Sequence, residues 1–226
     1  MPYLILFLVL LFLAYQAYQK TPNAKGRKGE KQVDSILKQA ALTHGGVELW
    51  DFMVEDARST SQIDNLLLTQ RALYVCEVKN YRGRIFGSPQ QASWTMTLLT
   101  PYTKRTKRGK RVKKTHLSKH RFYNPIQQNS THIRKLQHVL EGYPSMPMIN
   151  LVVFGPKADL SAIQDLPNVV SVNALARVIA ATEQTLPERL SVEEQVDVID
   201  RLHEMNITDK KARKAHVQNL RVRYKS

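Results

Sequence analysis

The chain has 226 residues, with 34 Lys and Arg against 19 Asp and Glu, which gives a formal net charge of +15. This length suits one sizeable domain with attachments, and the positive charge favours a polyanionic partner, either nucleic acid or an anionic membrane surface. The single cysteine, Cys76, excludes an internal disulfide and a structural zinc site made of clustered cysteines.

The first predicted element is an apolar segment, residues 2–18, that contains no charged side chain. A length of about 17 residues is at the short end of what crosses a bilayer as a helix. A cleaved signal peptide is less consistent, because the segment lacks a preceding basic residue and a small-x-small cleavage site. A buried core helix is the other alternative, although an apolar run without a polar face is unusual for one at the N-terminus. The sequence therefore predicts a single-pass anchor at residues 1–19. The basic residues that follow predict an inner-membrane protein whose C-terminal domain faces the cytoplasm.

A basic linker is predicted at residues 20–28, because this stretch is polar and punctuated by Pro and Gly. Helical periodicity then predicts helices over residues 30–42, 124–142, 174–183, 191–206 and 209–225. Short apolar or alternating runs predict strands over residues 47–54, 62–69, 72–81, 82–88, 93–99, 149–154 and 168–172.

This order of elements predicts an α/β fold in which a mixed β-sheet is flanked by helices. The apolar runs of the middle strands suit a sheet covered on both faces. We expect one domain over residues 29–183, followed by a C-terminal helical extension over residues 187–226.

Two charged residues, Glu77 and Lys79, interrupt the apolar strand 72–81 and share one face of it, since side chains alternate along a strand. If the preceding strand pairs with it, Asp64 and Glu77 converge at one end of the sheet. Glu30, which borders the buried face of the first helix, is a third acid. Converging carboxylates need a cation, and hard oxygen ligands select Mg²⁺ or Mn²⁺. With a lysine beside them they suit phosphodiester hydrolysis, whereas an edge-strand salt pair without a catalytic role is the alternative interpretation.

Several short motifs occur in a fixed order, namely "GE" at 29–30, "QID" at 62–64, "EVKNYRG" at 77–83, Trp94, and "NPIQQN" at 124–129. Together they resemble the nuclease-related domain (NERD) family, which is similar to the PD-(D/E)xK, or restriction-endonuclease-like, nucleases. The chain departs from that pattern at Asn65, where a His is common, and at Arg71-Ala72, where the turn often ends in Gly.

The resemblance implies a restriction-endonuclease-like core and a metal-dependent nuclease site. By position, Asp64 and Glu77 would hold Mg²⁺ or Mn²⁺ with help from Glu30. Lys79 would act on water or phosphate, and Gln128 would lie near the nucleic-acid backbone.

Residues 104–121 carry ten Lys and Arg side chains and no acid, with Gly109 suggesting a hairpin tip. We interpret this segment as a phosphate-binding loop for DNA or RNA. Contact with anionic lipid and a solvated, disordered charge run are the alternatives. The candidate nucleic-acid-binding residues are Lys104, Arg105, Lys107, Arg108, Lys110, Arg111, Lys113 and Lys114.

The sequence thus predicts a membrane-anchored, metal-dependent nuclease. The alternatives are a membrane-tethered nucleic-acid-binding module of the same fold that does not cut, and a membrane-surface adaptor that relies on the C-terminal helices. Neither the choice between DNA and RNA nor the oligomeric state follows from the sequence.

Overall fold

A computed structural model of the chain describes residues 7, 11, 17–18, 21–55, 59–163 and 165–223. The predicted anchor, residues 1–19, therefore lies mostly outside the described residues. Within the described part, no helix is both long enough and apolar enough to cross a membrane.

The described part of the chain contains both helices and strands. The helices are α1 (Pro22–His44), α2 (Pro125–Val139), α3 (Leu175–Thr185), α4 (Val192–Met205) and α5 (Lys210–Arg223), with a 3₁₀ turn at Val172–Ala174. The strands are β1 (Val47–Glu55), β2 (Thr60–Leu68), β3 (Leu73–Lys79), β4 (Gly83–Phe86), β5 (Ser93–Arg105), β6 (Arg111–Tyr123), β7 (Met148–Phe154), β8 (Ala158–Asp159) and β9 (Val169–Ser171).

The strands form two mixed sheets, where the sequence predicted one. The larger has the order β1-β2-β3-β7-β9, and the smaller has the order β6-β5-β4-β8. In the larger sheet β2 runs antiparallel to β1 and β3, while β7 runs parallel to β3 and β9. The division has a topological cause: β2 and β7 occupy both edges of β3, so β4 and β5 have to pair elsewhere.

The mixed α/β class is confirmed, and β3 is the central strand of the larger sheet. On one face Tyr74 and Cys76 pack in a cluster with residues of α1 and α3, such as Leu37. On the other face Val75 packs with residues of α2 and α4, such as Leu136. Glu77 and Lys79 therefore do not form an edge-strand salt pair.

The predicted linker at residues 20–28 is wrong, because α1 already begins at Pro22. The Thr21 side chain accepts a hydrogen bond from Ala24 N, and Pro22 occupies the first helical turn, where its missing N–H costs nothing. Ala24 is buried, so the first turn packs on the domain. The polar residues that suggested a linker belong instead to the solvent-facing side of this helix.

Candidate active site at the end of the central strand

Glu77 and Lys79 lie side by side at the end of β3, because residues two apart in a strand share a face. Lys79 Nζ donates to Glu77 Oε1 at 2.5 Å and to Gln128 Oε1 at 3.0 Å. Only 2% of Glu77 is exposed, so its charge is met by the lysine rather than by water. The predicted neighbours Glu77 and Lys79 are thus in contact, and Gln128, which was predicted to lie near the nucleic-acid backbone, is hydrogen-bonded to the same lysine.

Asp64 reaches the same group from β2. The last register pair between β2 and β3 is Asn65 with Cys76, and beyond it Asp64 Oδ2 accepts a hydrogen bond from Val78 N at 2.8 Å. The carboxylate thus replaces a ladder partner at the point where the two strands diverge. This contact fixes Asp64 beside Glu77, as the pairing of the two strands predicted.

Glu30 is brought over the sheet end by the close approach of α1 to β3. A Cβ atom at Gly29 would lie 2.8 Å from Asn80 Cβ, so a larger residue there would push the helix away. Glu30 lines the same cleft as Asp64 and Lys79. Burial, then the charge of Asp51 and more weakly that of Glu77, raise the pKa of Glu30 above its ordinary value.

Gln128 is positioned by the two asparagines of the "NPIQQN" motif. The Asn124 side chain caps α2 by accepting from Ile126 N at 2.9 Å. Asn129, which is fully buried, donates to Val75 O at 2.7 Å and to Leu151 O at 3.3 Å. The start of α2 is thereby tied to the central strands, and Gln128 projects toward Lys79.

Glu30, Asp64, Lys79 and Gln128 border a cleft of about 630 Å³ that also contains groups not predicted as site residues. His132 Nε2 lies 3.4 Å from Glu77 Oε2. His216 lines the cleft from α5 and shares a 2.6 Å hydrogen bond with Thr60 Oγ1. Lys135 is buried and donates to the carbonyl of Ser59.

The position of His132 could be predicted from the sequence, because it follows Gln128 by one helical turn and so falls on the same face of the helix. His216 lies more than 150 residues from Thr60 in the chain, so no local pattern could have joined them. Lys135 looked like one more cation of a basic helix, since nothing in its neighbourhood signals burial.

The charges of Asp64, Glu77 and Lys79 depend on one another. Burial and the neighbouring Glu77 hold the pKa of Asp64 well above its ordinary value. Burial also acts to raise the pKa of Glu77, but the Lys79 charge and His132 outweigh it and place that pKa below the ordinary value. Burial opposes the charge on Lys79, yet Glu77 and Asp64 raise its pKa. Lys79 is therefore the cation that keeps Glu77 ionised.

The oxygen donors fit a hard divalent cation. Glu77 Oε2 is buried and makes no well-formed hydrogen bond within the described residues, and Asp64 holds its amide contact through Oδ2 alone. Among the residues that the structure describes, no three His, Cys, Asp or Glu side chains are grouped closely enough to hold a metal ion together. Two carboxylates still suit Mg²⁺, which usually binds one or two of them together with waters and substrate phosphates.

The predicted basic residues lie away from this cleft. The eight candidates from Lys104 to Lys114 lie on the outer part of the β5–β6 hairpin and its tip, where Gly109 has a positive φ of 76°. The tip is as predicted, but the flanking segments are strands of 13 residues each. Phe122 and Tyr123 at the base of β6 line the cleft, so the hairpin starts from its wall.

Comparison with known proteins identifies a family and a relative that resemble the chain. The family described as nuclease-related domain matches residues 25–155. An uncharacterized protein of Bacillus anthracis is 28% identical over 220 residues, which cover 96% of this chain and 93% of that protein. No solved structure matches the chain.

Proposed function

The chain belongs to the nuclease-related domain family, and from that premise we propose that it is a divalent-metal-dependent nuclease that hydrolyses phosphodiester bonds of DNA or RNA. The observation that supports this most is the group at the end of β3. There one ammonium, Lys79 Nζ, is held between Glu77 Oε1 at 2.5 Å and Gln128 Oε1 at 3.0 Å, next to Asp64.

Each member of the group has a distinct role in the proposal. Lys79 orients the attacking water and stabilises the extra negative charge that develops on the phosphoryl oxygens. Glu77 keeps that ammonium charged and positioned, and Gln128 fixes its direction. Asp64 and Glu77 are the metal ligands, with Glu30 assisting from α1. A bound Mg²⁺ or Mn²⁺ would polarise the phosphoryl oxygen and lower the pKa of a water molecule.

A cleavage assay tests the proposal. The full chain is incubated with labelled DNA and RNA, each single- and double-stranded, with Mg²⁺, Mn²⁺, Ca²⁺ or EDTA. We expect cleavage with Mg²⁺ or Mn²⁺ and none in EDTA. Lys79→Ala and Glu77→Gln should each lower the rate by at least about 100-fold, because each removes a group that acts at the reacting phosphate.

The matched control is Arg177→Ala, which removes one exposed positive charge from α3, on the α1 side of the sheet. Its cleavage rate should stay within about twofold of the wild-type rate, as is usual for a surface substitution far from the site. Wild-type activity in Lys79→Ala and Glu77→Gln would remove both residues from the reaction. Tight binding without cleavage in every metal would favour the binding module that does not cut.

We propose separately that residues 2–18 tether the domain to a membrane, on the strength of their uncharged, apolar sequence. The described side chains of that segment include Phe7 and Leu11, which are 57% and 51% exposed and one helical turn apart. Fractionation of cells that express the full chain or a chain starting at residue 21 tests the tether. Equal amounts of both in the membrane fraction would refute it.

A further inference from the structure

The outer part of the β5–β6 hairpin, residues 98–118, is a projecting two-stranded ribbon that we call the arm. Strand β4 pairs with β5 only at Thr95, Met96 and Thr97, so beyond Thr97 each of the two strands pairs with the other alone among the described residues. From Leu99 outward almost every residue is exposed. Eight residues a strand at about 3.3 Å each give the arm a length of about 26 Å.

The outer half of the arm is strongly basic. The arm's 21 positions include eight Lys and Arg, from Lys104 to Lys114, and no Asp or Glu. No carboxylate of the described residues lies within ion-pair distance of these eight cations. A two-stranded ribbon without a packed face is marginally stable in water, and like charges on it repel. Among the described residues, the arm therefore has no anionic partner.

The cations of the arm point to both sides of the ribbon. Directly paired residues share a face, so Arg105 and Arg111 lie on one side, with Lys113 two residues along. Lys104 and Lys114 lie on the opposite side by the same alternation. A flat anionic surface or a single nucleic-acid strand meets one side of a ribbon. A groove walled by phosphates meets both.

Groove dimensions then select the duplex. The major groove of B-form DNA, about 12 Å wide, admits a two-stranded ribbon, whereas the minor groove is about half as wide. The major groove of A-form RNA is too deep and narrow to enter. At about 3.4 Å per base pair, the 26 Å of free arm follows roughly eight base pairs.

The arm and the cleft share one wall. Phe122, at the base of β6, lines the cleft and contacts Tyr81 with ring centroids 4.7 Å apart. His120, one step further out on the same face, lies 6.3 Å from the same ring. A duplex held by the arm is therefore delivered to the side of the cleft that contains Lys79.

We propose that the arm enters the major groove of double-stranded DNA and that B-form duplex DNA is the substrate class of the adjoining site. The groove contact stands on the arm alone. Its consequence for cleavage rests on the proposed nuclease function.

Binding of the full chain is measured in EDTA, so that cleavage does not enter. The probes are a 24-base-pair DNA duplex, the same sequence as duplex RNA and as single-stranded DNA, and a DNA duplex whose major groove is filled by glucosylated hydroxymethylcytosine. Vesicles with 30% phosphatidylglycerol test the lipid alternative. We expect the unmodified duplex DNA to bind at least about tenfold more tightly than each other nucleic acid and to bind with a steep salt dependence.

Variants test the two sides separately. The double variants Arg105→Ala/Lys113→Ala and Lys104→Ala/Lys114→Ala should each weaken duplex binding by at least about tenfold, because each removes the phosphate contacts of one groove wall. The matched control, Lys210→Ala/Lys211→Ala, removes two exposed lysines from α5 and should change binding less than about threefold. Circular dichroism checks that each variant keeps its secondary structure.

The inference would be overturned if duplex RNA or single-stranded DNA bound as tightly as duplex DNA. It would also be overturned if the glucosylated duplex bound as tightly as the unmodified duplex. If only one of the two double variants lost binding, the contact would be one-sided and the inference would also be overturned. Vesicles that compete with duplex DNA for the protein would overturn it as well. If duplex binding behaves as expected but no metal supports cleavage, the nuclease proposal fails and the groove contact stands. If the protein cleaves nucleic acid but the arm variants bind duplex DNA as tightly as wild type, the groove contact fails and the nuclease proposal stands.

Discussion

At the residue scale, two glutamates that are both buried, Glu77 and Glu183, differ in how many of their carboxylate oxygens have partners. Glu183 Oε1 accepts hydrogen bonds from Tyr74 at 2.7 Å and from Thr69 at 2.9 Å, and Arg71 lies 3.8 Å from its other oxygen. Glu77 has a strong partner at one oxygen only. A carboxylate whose oxygens are both engaged holds a fold together, whereas one with an oxygen that lacks a strong partner, next to the cleft-lining Lys79, can take a ligand.

Substitution of Glu183 tests the structural role. Glu183→Ala leaves the Tyr74 hydroxyl without its buried acceptor and the Thr69 hydroxyl with only the carbonyl of Ala72 at 3.3 Å, so we expect unfolding free energy to fall by about 3 kcal/mol. Urea unfolding followed by fluorescence measures it. Glu188→Ala is the control, because Glu188 also pairs with Arg71 but its side chain is 61% exposed. That change should cost less than about 1 kcal/mol, and equal losses in both variants would contradict this assignment.

The sequence reached the core of the candidate site because the signal is local. Glu77 and Lys79 stand two residues apart in an apolar strand, and alternation alone puts them on one face. Asp64 required only the further assumption that neighbouring strands pair. His216 shows the limit, since its place in the cleft depends on the path of the chain through α3, α4 and α5, which no periodicity encodes.

At the element scale, α1 and β1 are joined by a pair of acids beneath the helix. Burial and a hydrogen bond to Asp34 raise the pKa of Glu48 to about 7. Asp34 Oδ2 accepts from Lys38, while Oδ1 is buried with no partner among the described atoms. Protonated Glu48 is the donor that Asp34 needs, and Asn65 supports Glu48 from β2 at 3.5 Å.

This pair makes stability depend on pH. Glu48 binds its proton more tightly in the folded state, so its contribution is present below pH 4.5 and is lost as the pH rises through about 7. Glu48→Gln keeps a donor and removes the titration. Relative to wild type, the variant should gain about 1–2 kcal/mol in unfolding free energy between pH 5 and pH 8, a figure discounted for solvent screening.

Urea unfolding of both proteins at pH 5, 6, 7 and 8 measures the gain. Glu55→Gln is the control, since Glu55 is exposed at the end of the same strand. Its difference from wild type should stay constant across this range. A constant difference for Glu48→Gln as well would show that Glu48 is ionised throughout.

A second prediction at this scale concerns the start of α2. The Asn124 side chain caps the helix and also donates to the carbonyls of Ser88 at 3.2 Å, Pro89 at 3.0 Å and Gln91 at 2.7 Å. Asn124→Ala should therefore cost about 2–3 kcal/mol, of which the cap accounts for about 1. Asn124→Ser restores the cap acceptor but does not reach the carbonyls. In thermal unfolding, the Tm of Asn124→Ser should lie between those of Asn124→Ala and wild type. Equal Tm values for the two variants would mean that Asn124 stabilises the protein only through its bonds to the loop carbonyls.

At the scale of the whole molecule, the positions of strands were predictable, whereas their pairing beyond chain neighbours was not. The segments 47–54, 62–69 and 149–154 are all strands of the larger sheet. The sequence could not show that β7, some 70 residues downstream, pairs with β3 and excludes β4. Likewise, residues 104–121 were predicted to be a loop because of their charges, yet most of them lie in β5 and β6. A strand that is exposed and basic on both faces lacks the alternation of apolar and polar residues by which strands are predicted.

The boundaries of the family and of the fold also differ at this scale. The family match ends at residue 155, but both hydrophobic clusters of the larger sheet are completed by later residues. Leu175 and Ile179 of α3 close the cluster over α1, while Val198 and Leu202 of α4 close the cluster beneath α2. All four side chains are fully buried.

Truncation follows from this arrangement. Burial of one large apolar side chain contributes about 1.5–3 kcal/mol, so loss of these four removes roughly 6–12 kcal/mol, comparable to the whole stability of a typical domain. We therefore expect a chain of residues 21–155 to lack cooperative thermal unfolding and near-ultraviolet circular dichroism. A chain of residues 21–209 keeps α3 and α4 and should unfold cooperatively, although it loses His216 from the cleft. If the 21–155 chain melts as sharply as the longer one, the two C-terminal helices that complete the clusters are dispensable, and the fold ends where the family match ends.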